Sequence, residues 1–395
     1  MENELKILIL SYFFEPDISA GSFRNTALVK ALKCKMPKQS TIEVISTLPS
    51  RYSSFSCDAP SYEKNQGIII HRILVPPHNN NMLTQVRAFL IYVYHVLKLV
   101  RGKNYDLIYA SSSRLMTGVL ASHISKRKKT PLYIDIRDIF VDTINDIFPV
   151  YLRVVLKPIL SMLEKIMVKR AEKVNLVSYG FKHYFHERYP EKSFSFFPNG
   201  IDKEFTFFEA KQKTSAEKDI LQVLYAGNLG VGQGLHNIIP QLAKKFEGRL
   251  EFQIIGDGNQ KNQLELFLRN NDVKNVQLLA PVTREKLKQI YLSSDILFLH
   301  LNNYEAFLKV LPSKIFEYAS SGKPIWAGVS GYAAEFLHDE VPNSAIFKPC
   351  NVEQAIKSFQ DLKIQTSNRM AFTKKYSREI IMRKMATDIL KISEK

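Results

Sequence analysis

Residues 311–328 read LPSKIFEYASSGKPIWAG, and the order of signals in this stretch decides the fold. Pro312 suits the opening turn of a helix, where its missing N–H would have no partner. Lys314–Ser320 carries the helix on, Gly322 stops it, and Pro324–Ala327 is a short apolar strand. A helix that runs through a glycine stop into a buried strand is one half of a β–α repeat. Upstream, strands at Leu221–Ala226, Leu250–Ile255, Val276–Leu279 and Ile296–Leu301 alternate with helical patterns at Leu235–Phe246 and Gln260–Leu268. Downstream, Val352–Leu362 is helical again.

The first half repeats the pattern. Strands are expected at Lys6–Ser11, Thr41–Ser46, Ile68–Val75, Asp106–Ala110, Leu132–Ile136 and Val174–Ser178, with helices at Phe23–Leu32, Met82–Val100, Leu115–Ile124 and Tyr151–Glu172. Such alternation indicates mostly parallel, doubly wound sheets. The chain has 395 residues, too many for one core. The reading is an α/β protein of two domains, 1–200 and 201–376, joined through a polar stretch at Glu204–Lys218. A last helix is expected over about Ser377–Ile392.

Composition narrows the function. Apolar residues make up 45% and charged residues 24%, ordinary for a soluble globular protein. No apolar run has the length of a membrane span, and the opening residues lack a secretory signal pattern. Cys34, Cys57 and Cys350 are scattered, which points to a reducing cytoplasm without disulfides or structural zinc. No histidine spacing suggests a metal centre. The net charge is +17, and residues 1–200 hold 28 Lys and Arg against 16 Asp and Glu, so most of the excess lies there. A basic surface attracts phosphates, anionic lipid or nucleic acid, and a set of solvated lysines would look the same.

Five places carry residues suited to chemistry. Ser313 and Lys314 put a hydroxyl, a cation and free amides at a helix start, which suits a diphosphate. Glu317, one turn on, suits a ribose. An ordinary capped helix fits the same pattern. Gly227 and Asn228, in YAGNLG, and Gly256, in IIGDG, follow strands where backbone can approach a ligand. Neither loop has a P-loop lysine or a full dinucleotide fingerprint, so NAD and FAD are not expected. Gly21 and Arg24 follow the first strand, where Gly21 can pack against a phosphate and Arg24 can pair with it. Arg137 and Asp138 follow Asp135 at the end of the Leu132–Ile136 strand, where charges need partners or a use, and a structural Asp–Arg pair within this segment is the alternative.

The series Gly21…Arg24-Asn25, Arg137-Asp138, FPNGID (197–202), YAGNLG (225–230), IIGDG (254–258) and LPSKIFEYASSGKPI (311–325) resembles the family 4 glycosyltransferases over almost the whole chain. It is most similar to the bacterial branch that makes O-antigen and capsular polysaccharides, including N-acetyl-fucosamine transferases. The resemblance implies the GT-B fold, two Rossmann-like domains facing each other across a cleft, with the C-terminal helix in 377–395 packing back toward the first domain. It implies a retaining, metal-independent hexosyltransferase without cofactor, in which Ser313 and Lys314 hold the donor diphosphate, Glu317 the ribose, and Gly21 and Asn228 the phosphates. Lys309 stands where many relatives have a first glutamate, Asn228 and Gln233 where many have Arg and Lys, and Arg137-Asp138 where a catalytic histidine is usual.

On this reading the donor is a nucleoside-diphosphate sugar, with UDP favoured over GDP. Gly21, Arg24, Gly227, Asn228, Gly256, Ser313, Lys314 and Glu317 bind it, and Lys314, Arg137 and Asp138 act in catalysis. The acceptor is a polyprenyl-diphosphate-linked glycan. The chain sits peripherally on the anionic inner face of the cytoplasmic membrane, and nucleic acid is not a partner. A nucleotide-sugar 2-epimerase of the same fold and an inactive sugar-nucleotide-binding subunit are the competing expectations.

Overall fold

The computed structural model describes residues 4–49, 58–76, 82–206 and 219–393. They form two compact units: Met1–Asn199 with Arg378–Lys395, and Gly200–Ser377.

The first unit runs β1 (Lys6–Ser11), α1 (Ala20–Lys35), β2 (Thr41–Thr47), β3 (Tyr62–Asn65), β4 (Ile68–Ile73), α2 (Met82–Leu99), β5 (Leu107–Ser112), α3 (Leu115–Lys128), β6 (Leu132–Ile136), α4 (Phe140–Ile147), α5 (Val150–Arg170), β7 (Lys173–Leu176), α6 (Lys182–Arg188) and β8 (Phe194–Ser195). Its sheet is ordered β3-β4-β2-β1-β5-β6-β7-β8. Every pairing is parallel except β3 with β4. The central strands are buried along nearly their whole length, which is why KILILS and LYIDI read as continuous apolar runs rather than alternating ones. Ser11 pairs with Ser111 and Ser111 with Asp135, so the carboxyl ends of β1, β5 and β6 are level.

The second unit runs β9 (Leu221–Ala226), α7 (Ile239–Lys245), β10 (Leu250–Ile255), α8 (Lys261–Asn270), β11 (Val276–Leu279), α9 (Arg284–Ser293), β12 (Ile296–His300), α10 (Lys314–Ser320), β13 (Ile325–Gly328), α11 (Tyr332–Glu340), β14 (Ser344–Phe347), α12 (Val352–Phe359) and α13 (Met370–Lys375). Its all-parallel sheet is ordered β11-β10-β9-β12-β13-β14. One apolar cluster forms around Leu224, Ile315, Phe316 and Phe336, and another around Ile254, Phe298 and Trp326. The indole of Trp326 donates to Ala355 O and Ser358 Oγ, so the largest core side chain leaves no polar atom stranded. The last helix, α14 (Arg378–Ser393), belongs to the first unit and packs on α1.

Several elements are not visible in the sequence. β3 reads YEKN, and all four of its residues are exposed, so there is no buried face to impose a period. The helix expected over Leu235–Phe246 is split. Leu235–Asn237 is a 3₁₀ turn, and α7 starts afresh with Pro240 in its first turn, where a proline belongs. The expected linker, Glu204–Lys218, lies outside the described residues beyond Thr206; its first residues, Glu204 and Phe205, belong to a 3₁₀ turn, Lys203–Phe205, packed under Arg284.

Arg24 is a correction to the sequence reading. It does not reach toward a phosphate, because it is wholly buried in the first unit. Its Nε donates to Asp135 at 2.8 Å and its Nη2 to the other Asp135 oxygen at 3.1 Å. Its remaining donors go to Phe197 O and Pro198 O. Asn175 and Tyr109 also donate to Asp135. Burial opposes both charges, and each holds the other ionised: Arg24 is raised and Asp135 lowered. The pair ties the start of α1 to β6 and to the chain leaving β8. Asp135 is thus paired with Arg24 of α1 rather than with the arginine of its own segment, Arg137.

Candidate functional site

In the second unit the loops after β9 and β10 and the start of α10 come together. Gly227 N donates to Ile255 O at 2.8 Å, and Leu229 N to Asp257 O at 2.8 Å. This lacing is tight enough to require glycine. A Cβ on Gly256 would lie 1.8 Å from Gly227 O, and one on Gly258 2.6 Å from the Leu229 backbone. Gly256, expected at the donor, is therefore explained by the crossing of two loops.

Gly227 is different. A Cβ there would lie 2.2 Å from Lys314 Cε and 2.9 Å from Nζ, so the bare backbone makes room for the lysine side chain. Among the described residues the Lys314 ammonium has no hydrogen bond or ion pair. Its nearest aromatic ring is Tyr318, at 5.9 Å. Burial pushes its pKa down, the Glu317 charge pulls it up, and Arg284 pushes it down. A partly buried cation with no partner is costly unless something anionic arrives.

α10 itself begins at Lys314, with Ser313 as its N-cap, so Pro312 lies just ahead of the helix rather than inside it. Ile315 N and Phe316 N are already bonded to Pro312 O and Ser313 O. The Ser313 and Lys314 amides are left without a backbone partner among the described residues, and the Ser313 side chain makes no cap bond. Glu317 is partly buried and accepts a hydrogen bond from Tyr291 Oη at 3.3 Å. Tyr318 is fully buried, and its hydroxyl accepts from Ala226 N at 3.0 Å, fixing α10 against the end of β9.

Asn228 and Gln233, at positions read as replacing cations, bond each other: Asn228 Nδ2 donates to Gln233 Oε1 at 2.7 Å. Tyr225 Oη donates to Asn228 O at 2.7 Å. The end of β12 holds the rest of this loop. Burial lowers the His300 pKa to about 4, against the opposing bond to Gln233 O. The neutral ring bonds Gln233 O through Nδ1 and accepts the Cys350 amide at Nε2. Asn302 donates to Val231 O and, through its backbone, to Gly232 O.

Arg284 and Tyr291 were not foreseen. Arg284 pairs with Asp202 and Glu204 and stacks on Phe205. The signal was available: Thr283 caps α9 by accepting from Lys286 N, and a capping threonine marks a helix start.

In the first unit, Gly21 and Arg137 are adjacent. A Cβ on Gly21 would sit 3.8 Å from Arg137 Nε, an ordinary contact, so packing does not demand glycine there. Arg137 is partly buried, and its Nη1 has no hydrogen-bond partner among the described residues. Burial lowers its pKa, Asp135 raises it and Arg24 lowers it again. Asp138 is exposed at the mouth of the same strand end.

Residues 206–379, which take in most of the second unit, match the family described as glycosyl transferases group 1. The chain is 31% identical, over 93 residues, to the putative colanic acid biosynthesis glycosyl transferase WcaI of Escherichia coli K12. That match covers 24% of this chain and about a quarter, 23%, of the relative. Among solved structures, HepE from Anabaena, in complex with UDP and glucose, superposes with a TM-score of 0.68 at 17% identity. It spans 98% of this chain and all of that one. WaaG, a glycosyltransferase involved in lipopolysaccharide biosynthesis, gives 0.68 at 14% identity, over 97% and 99%. The fold is thus GT-B: two Rossmann-like sheets.

Proposed function

We propose that this chain, with its group 1 match over residues 206–379, is a retaining glycosyltransferase of the hexosyltransferase class. It takes a sugar from a nucleoside diphosphate, UDP favoured, without a metal ion. It passes the sugar to a polyprenyl-diphosphate-linked glycan at the inner face of the cytoplasmic membrane, in O-antigen or capsule synthesis. HepE is described with UDP and glucose, and WaaG by its part in lipopolysaccharide synthesis; both support this direction.

The observation that carries the reading is Lys314. Among the described residues its ammonium has no hydrogen bond or ion pair and the Ser313 and Lys314 amides have no backbone partner; the bare Gly227 admits the side chain, and Glu317 lies one turn on. When the sugar–oxygen bond breaks, the leaving diphosphate gains negative charge, and fixed donors at that charge lower the barrier. Lys314 supplies the cation, Ser313 and the amides supply donors, and Glu317, braced by Tyr291, takes the ribose hydroxyls. Gly21, where packing leaves room, and Asn228 approach the phosphates. Arg137 and Asp138 act on the reacting sugar and acceptor from the first unit.

A thermal-shift screen of UDP, GDP and their sugars, followed by transfer to a lipid-linked acceptor, tests this. The expected result is a stability gain with one nucleotide class and acceptor-dependent release of nucleoside diphosphate. No shift with any of them, or isomerisation of the donor alone, overturns it.

A further inference from the structure

The first unit carries a feature that the transfer reaction does not use. α5 is amphipathic in reverse: along its 21 residues only Glu164, Met167 and Val168 are buried. Val150, Tyr151, Val154, Val155, Ile159, Met162 and Ile166 are exposed, Tyr151 and Val154 by 71% each. Positions 151, 155, 159, 162 and 166 follow helical spacing and form one stripe. On α2, Leu83, Val86, Leu90 and Tyr94 form a second exposed stripe with the same spacing. Right-handed crossovers from β4 to β5, β5 to β6 and β6 to β7 put α2, α3 and α5 on one side of the sheet. An exposed apolar surface of this extent marks an interaction site.

Charge identifies the occupant. α2, α3 and α5 together carry ten Lys and Arg: Arg87 and Lys98, Lys126 to Lys128, and Arg153, Lys157, Lys165, Lys169 and Arg170. Their one acid is Glu164, which is buried and bonded by Tyr184 and Tyr189. A layer that is apolar and basic, without an exposed acid on these helices, repels a second copy of itself. It suits an anionic bilayer, where apolar side chains enter the headgroup boundary and long cations stay with the phosphates. Pro158, inside α5, cannot donate to Val154 O, so that carbonyl lacks its usual helical partner. No helix among the described residues is long and apolar enough to cross a membrane.

We propose that the outer face of the α2–α3–α5 layer is the bilayer-docking surface of this protein. α5 lies flat in the interface of an anionic leaflet, and its stripe from Tyr151 to Ile166 is inserted. The proposal gives a physical form to the membrane-linked acceptor above and rests on that reading for its purpose, though not for its test.

The test is co-sedimentation of the full chain with vesicles of phosphatidylcholine alone and of phosphatidylcholine with 30% phosphatidylglycerol, at low and high salt. The parent is expected to bind the anionic vesicles at least tenfold more tightly, with the preference falling as salt rises. Val155→Glu with Ile159→Glu is expected to lose at least tenfold of that binding. Lys157→Glu with Lys165→Glu should lose less and flatten the salt dependence. Because these side chains are exposed, circular dichroism and the UDP thermal shift should match the parent. Equal binding by parent and apolar-face variant overturns the proposal, as does no binding by the parent at low salt. A parent dimer that the Val155→Glu, Ile159→Glu variant dissociates, seen by sedimentation velocity without lipid, also overturns it and assigns the face to a second copy. Vesicle binding without any nucleotide shift would instead remove the transferase reading and leave the docking surface standing.

Discussion

Arg24 and Lys314 are both cations in the opening turns of helices that follow parallel strands, Arg24 in α1 and Lys314 at the start of α10, and from sequence both read as partners for a phosphate. The structure separates them. Arg24 spends its guanidinium on Asp135, Phe197 O and Pro198 O. Lys314 meets bare backbone at Gly227 and, among the described residues, makes no hydrogen bond or ion pair. A buried cation that has spent its hydrogen bonds belongs to the fold, and one that has not is available to a ligand. On the function proposed above, the stability cost of Lys314 in the unliganded protein is the counterpart of its use when a diphosphate binds.

The contrast can be broken most forcefully at Arg24. Arg24→Ala leaves Asp135 buried and unpaired, a change that costs about 3–5 kcal/mol. Urea unfolding should show that loss in the first unit. Lys314→Ala should do the opposite, leaving unfolding unchanged or slightly harder while lowering turnover by about 100-fold at saturating donor. Equal destabilisation by the two would erase the distinction. Gly256→Ala sharpens it from the side of packing. A methyl group 1.8 Å from Gly227 O must displace backbone, costing roughly 1–3 kcal/mol, which thermal unfolding should show. Glu317→Gln keeps the shape and removes the charge. The donor KM should rise by roughly tenfold, the scale of one charge-assisted hydrogen bond, with kcat less affected.

The smallest effect concerns acid. Burial would raise the Glu43 carboxyl, but bonds from His71, Lys103 and Tyr105 outweigh it and hold the pKa at about 2. A depressed folded pKa stabilises above the ordinary carboxylate range, and that contribution is lost as pH falls toward 2. Glu43→Gln should therefore flatten the acid limb of the unfolding curve below about pH 4.5 and leave donor affinity at neutral pH unchanged.

The β–α alternation was legible because buried parallel strands are continuous apolar runs, as in KILILS and LYIDI. Lys314 and Glu317 stood out because helix starts have a local chemistry of their own. What stayed hidden depends on partners distant in sequence. The fate of Arg24 is set by Asp135, 111 residues away, and the role of Gly256 by a carbonyl on a neighbouring loop. Tyr291 reaches Glu317 only because α9 and α10 pack on one sheet. β3, with four exposed residues, left no pattern to read.

The most direct measurement is a calorimetric titration of UDP into the parent protein and into Lys314→Ala. The parent should bind UDP, and the variant should bind at least tenfold more weakly while its unfolding curve stays at or above the parent's. Equal affinity in the two proteins would contradict the assignment of Lys314 to the diphosphate.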